Sequence, residues 1–152
     1  MTTRGKKIVI GVIAGVLLAV IAVGIFVGAA FLGWRAAVRS GNEAAAIQDI
    51  KTIATVQVQY YNTHDRTFGT FDDLVKEGFD GRFAGEIPKV DGYVFILQMT
   101  PKTPAQPSSY MLNADPQSNS TGNRHFYFDS TDNLIRVNAD HAAGPNDPSV
   151  LQ

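Results

Sequence analysis

The chain contains no cysteine. That excludes disulfide staples, thiolate nucleophiles and cysteine-ligated metals, and it leaves the compartment open. Acid is missing from the N-terminal quarter: no Asp or Glu precedes Glu43. Five of the 13 Lys and Arg residues (Arg4, Lys6, Lys7, Arg35 and Arg39) fall in that quarter, leaving eight basic residues against all 14 carboxylates in the remainder. A domain with an acidic balance argues against nucleic acid as a partner, because phosphate binding needs concentrated Lys and Arg. The same balance disfavours close docking of the domain on an anionic lipid surface. Histidine is scarce: His64, His125 and His141 show none of the helical spacing that holds a metal, and each reads as a surface or turn residue. Phosphate-binding loops, nucleophile elbows and serine-triad patterns are also missing. No enzyme activity and no cofactor is expected.

What is present begins with Ile8 to Trp34, 27 residues without a charge. As a helix this run would reach roughly 40 Å, beyond the roughly 30 Å of bilayer hydrocarbon. Lipid cannot satisfy free backbone groups, so the run should be a single helix. A cleaved secretory signal has an apolar core of about 7–15 residues, so an uncleaved anchor is the better reading. The basic leader 1–7, with Arg4, Lys6 and Lys7, favours a cytoplasmic N-terminus and a domain outside the membrane. Gly11 with Gly15, and Gly24 with Gly28, have the small-xxx-small spacing of closely packed membrane helices. These glycines are candidate assembly positions in a homo-oligomer.

Downstream, Ser40 and Glu43 have capping-box spacing, and Gly41 suggests a kink or break before a helix over 43–61. Ile47, Ile50, Ala54, Val58 and Tyr61 form one apolar stripe, with Gln48, Asp49, Lys51, Gln57 and Gln59 mostly off it. Ile47 and Ile50 join the glycines as candidate assembly positions. Thr70 should cap a short helix over Phe71 to Glu77 that Gly78 stops. Phe79 to Val90 reads as a loop. Strands follow over 92–99, 109–114, 124–129 and 134–138, the last two joined by a turn at 130–133. The fold class is α+β: a long N-terminal helix, transmembrane then amphipathic, packed against a small antiparallel meander of three to four strands. Residues 141–152 read as a loose tail, bounding a domain over 35–140.

The segments NEAAAIQDIKTIATVQVQYY, TFGTFDDLVKEGF, GYVFILQM, SYMLNADP and HFYFDSTDNLIRVN resemble, in layout and composition, the type IV pilins and pseudopilins. The resemblance implies a non-enzymatic, single-pass membrane subunit. It would assemble through its N-terminal helix into a filament, at the cell surface or in a secretion-related complex, with itself or with pilin-like partner subunits. In that family the leader ends in Gly, usually before Phe, and a Glu lies five residues into the mature chain. This chain has neither feature, which implies either an uncleaved relative or subunits packed by another rule, such as close glycine contacts. A membrane-anchored accessory or binding module that never polymerises is the alternative.

Three smaller patterns remain. Asp129, Asp132 and Asn133 place oxygen ligands within five residues; this is a weak calcium candidate, and an ordinary Asx-type turn is the favoured reading. Asp72-Asp73 stands where acids suit the first turn of a helix. Asn119-Ser120-Thr121 is a glycosylation sequon in a polar loop.

Overall fold

In the computed structural model the backbone is described for residues 3–150, and side-chain surroundings from Leu17 onward, apart from Ala19, Ala29 and Ala30. The chain divides into two units, the first ending at Ala37 and the second beginning at Val38.

Helix α1 spans Thr3–Thr63. It already includes residues 3–7, which the sequence assigns to a separate leader, and it passes Ser40 and Gly41 without interruption. The expected restart at Ser40 fails because Glu43 does not fold back to cap; its carboxylate goes to another element, as described below. The helix ends where Asp65 and Arg66 adopt left-handed backbone, with Arg66 N–H donating to the Tyr61 carbonyl at 3.1 Å.

Helix α2 spans Phe71–Lys76 and follows its sequence signals closely. Thr70 Oγ1 accepts from Asp73 N–H, and the Asp73 carboxylate accepts from Thr70 N–H, completing a capping box. At the other end Gly78 takes φ +97°. Its N–H donates to the Val75 carbonyl and Phe79 N–H to the Leu74 carbonyl, a Schellman closure that favours glycine.

A single 3₁₀ turn at Gly81–Phe83 leads into five strands: β1 (Lys89–Val90), β2 (Tyr93–Thr100), β3 (Ser109–Pro116), β4 (His125–Asp129) and β5 (Leu134–Asn138). They pair in chain order, all antiparallel. The meander therefore has five strands rather than three or four. The addition, β1, is a two-residue strand inside the stretch read as a loop. It is too short to show a period-two pattern. The β4–β5 turn at 130–133 forms as expected, with Asn133 at φ +58°.

One face of the sheet carries the core. Tyr93 and Phe95 of β2, Tyr110, Leu112 and Ala114 of β3, Phe126 and Phe128 of β4, and Ile135 of β5 are all buried. They pack with Ala46, Ile50 and Ile53 of α1 and with Phe71 and Phe83. The rings interlock: Phe83 meets Phe95 edge-on at 5.1 Å, and Tyr93 meets Phe126 at 5.8 Å. The helical stripe is rotated from the expected one. Its buried line is Ala46, Ile50, Ile53 and Gln57, whereas Val58 is 55% exposed.

The tail is tied down, against the expectation of a loose 141–152. Val137 N–H donates to the Pro148 carbonyl, and Val150 N–H donates to the Ile135 carbonyl at 2.7 Å, so Ser149 pairs with Arg136 on β5. On the outer face, Asn113 Nδ2 donates to the Ala143 carbonyl. Beside it Tyr127, the cross-strand partner of Asn113, is buried too.

Candidate functional site

The apolar part of α1 is the most distinctive surface. From Leu17 to Trp34 the large side chains are exposed around the whole helix circumference: Leu17, Leu18, Ile21, Val23, Ile25 and Val27 stand open, and Phe26 is 79% exposed. A helix apolar on every face needs lipid or other helices around it. Among the described residues α1 is the one helix long and apolar enough to cross a membrane. Gly24, Gly28 and Gly33 have nothing within 4 Å of where a Cβ would sit. Gly11 and Gly15 lie outside the residues whose surroundings are described. Phe31 and Trp34 lie 6.4 Å apart, and the Arg35 guanidinium sits 4.5 Å over the Phe31 ring. Apolar chain, aromatic rings and an arginine in that order match the composition of a membrane interface.

Ile47 and Ile50 do not belong to this surface. Ile50 is fully buried and Ile47 packs against the same core. Their role is to hold α1 on the sheet of their own chain.

Polar side chains of α1 hold loops of the second unit. Glu43, only 8% exposed, accepts from Asn123 N–H at 2.9 Å and from Arg124 Nε at 2.7 Å. Burial opposes its charge, yet the Asn123 N–H and the Arg124 guanidinium hold its carboxyl below the ordinary value. Asn42 donates to the Thr121 carbonyl. Gln57, fully buried, donates from Nε2 to the Gly69 carbonyl at 2.7 Å and accepts from Gly69 N–H at 3.0 Å. Asp49 differs, because its Oδ2 is buried without a partner. Burial and the carboxylate of Asp91 push its pKa up to about 6, Arg82 opposing and Asp80 adding.

The remaining candidates resolve into local structure. Asp129 Oδ1 accepts from Thr131 N–H and Oγ1, and its Oδ2 accepts from the Tyr127 hydroxyl. Asp132 accepts from Leu134 N–H and, at 2.6 Å, from Arg136. Asn133 supplies the left-handed turn residue. Both carboxylates are thus engaged by the hairpin itself, in the Asx-turn manner. Asp73 caps α2, whereas Asp72 accepts from Gly85 N–H at 2.7 Å, so the adjacent pair diverges. His64 stacks on Tyr60 at 3.8 Å and lies 3.6 Å from Glu77; His125 meets Asp115 at 2.6 Å; His141 lies beside Asn138. The three histidines are not brought together, and no metal-binding cluster of three or more His, Asp or Glu occurs among the described residues. Asn119 lies in the loop after β3, its carbonyl accepting from Arg39 at 3.5 Å.

The sequence pattern misses the buried Gln57 and the buried Oδ2 of the half-buried Asp49, because counting apolar residues excludes both. Neither a family model, nor a curated protein, nor a solved structure matches this chain.

Proposed function

We propose that this chain is a non-enzymatic, pilin-like subunit, anchored by one membrane-spanning segment with its N-terminus inside and its α+β domain outside. Assembly runs through the N-terminal helix into a filament or a secretion-related complex. The observation that carries the reading is the all-round apolar exposure of Leu17 to Trp34 in a chain whose second unit has a closed core of its own. Gly24 and Gly28 would be points of close helix approach in lipid, since neither is occupied from within the chain.

The test is electron microscopy of membranes overexpressing the full chain, with Gly24→Leu and Gly28→Leu as variants. A Cβ at either position meets nothing within 4 Å among the described residues, so lost assembly would report a lost contact between subunits. Assemblies that persist in the double variant would remove close glycine packing from the mechanism. The missing acid before Glu43 favours a second reading, an accessory subunit that does not polymerise. Crosslinking that recovers other proteins and never a second copy would select it.

A further inference from the structure

The sheet has one open edge. β1 covers only the start of β2, pairing Lys89 with Val94 and Val90 with Tyr93. One more bond, from Phe95 N–H to the Pro88 carbonyl, shows which way the odd residues of β2 point. Strand backbone alternates, so the N–H and C=O groups of Leu97 and Met99 face the same way, away from β3. Among the described residues nothing bonds to them. The opposite edge differs, since the tail covers β5. Natural edges are blunted by charge, proline or a bulge. Ile96 to Thr100 has no charge, no proline and regular pairing to β3 throughout.

A groove runs along this edge. A cavity of about 240 Å³ is lined by Phe71, Leu97 and Met99, with Asp72 and Glu86 among its walls. A second, of about 350 Å³, shares Met99 and continues past Thr100 to Phe68. Met99 is 40% exposed at their junction. The charge is one-sided. Lys102 is answered by Asp65 at 3.4 Å. Glu86 has no ion pair among the described residues, and Asp72 makes only the bond to Gly85 N–H.

We propose that the edge from Leu97 to Thr100 is a strand-addition site for an extended segment of another protein, one carrying Lys or Arg on alternate residues. Main-chain bonds to Leu97 and Met99 would set its register. Alternation puts its cations on one face, where they would enter the groove with their aliphatic stems over Phe71 and meet Glu86 and Asp72. Self-pairing through the same edge is disfavoured, because it would gather these carboxylates from both copies along one seam. The site does not depend on assembly of the membrane helix.

The test uses the full chain in detergent micelles, followed by backbone amide NMR. The probe is a capped heptapeptide of alternating valine and lysine, compared with the same peptide carrying glutamate for lysine. The lysine peptide should slow hydrogen exchange at Leu97 and Met99 and shift both amides. The glutamate peptide should do neither, and Glu86→Lys should weaken the lysine peptide about fivefold. Met99→Pro removes one edge donor without touching the β2–β3 ladder, and should abolish binding while the β3 amides keep their shifts. Should that variant unfold, the charge reversal at Glu86 still decides the matter. Equal binding of both peptides, no change at Leu97 and Met99 at millimolar peptide, or protection of both amides by self-association without peptide would each overturn the proposal.

Discussion

Asp49 and Gly122 show how single residues set the stability of this domain. The Asp49 carboxyl is pushed up to about 6, whereas an unfolded Asp titrates near 4. Between those values the folded state holds more protons, so this group makes stability fall as pH rises from about 4 to about 6. Asp49→Asn should raise the melting temperature near pH 7 by roughly 3–6 °C, about 1–2 kcal/mol, with the gain vanishing near pH 4. Melting curves of the full chain at several pH values check this. An Asp49→Asn gain that is the same at every pH would remove the titration argument. Glu43 works in the other direction. Its carboxyl is held low, so its contribution is present above the unfolded value and is lost as pH falls through the folded one. At Gly122 a Cβ would collide with the Tyr93 hydroxyl, which is buried and donates to the Arg124 carbonyl. Gly122→Ala should cost about 1–3 kcal/mol, read from chemical denaturation.

At the scale of elements, α1 stays on the sheet through an apolar line and specific polar bonds. Gln57 is the sharpest case, because both halves of its amide serve one buried backbone group, the N–H and C=O of Gly69. Gln57→Leu keeps the volume and leaves that group unpaired, so it should cost about 2–4 kcal/mol despite being more apolar. A Gln57→Leu variant as stable as the parent would show that water replaces the amide. Arg124 is 43% exposed, which lowers the worth of its pair with Glu43. A double-mutant cycle between Glu43→Ala and Arg124→Ala should give a coupling of about 1–2 kcal/mol. These positions also show what patterning can and cannot disclose. Helix α2 was legible from Thr70, Asp73 and Gly78, since every bond in its caps is local. The line Ala46, Ile50, Ile53 and Gln57 was not. An apolar count prefers Val58 over Gln57, and only the distant Gly69 makes a glutamine belong inside.

For the whole molecule, the core among the described residues runs from Ala46 to Val150, all within the second unit. Residues 38–152 should therefore fold and stay monodisperse in water, whereas the full chain should require detergent. Circular dichroism and size-exclusion chromatography of both forms test this. Aggregation of residues 38–152 would mean that the first unit completes the fold.

The sequence alone determined the uncharged helix long enough for a membrane, the acidic domain after it, and the α+β order of elements. Those properties depend on composition and short-range periodicity, which no distant contact alters. Tertiary structure decided the rest. It carried α1 through Gly41 because Glu43 found partners 80 and 81 residues away at Asn123 and Arg124. It buried Ile50 in the core and packed Ile47 against it. It also pinned the tail to β5 and left β2 open at Leu97 and Met99. Each of these outcomes depends on which segment lies alongside, and strand pairing and salt-bridge geometry are settled only when distant segments meet.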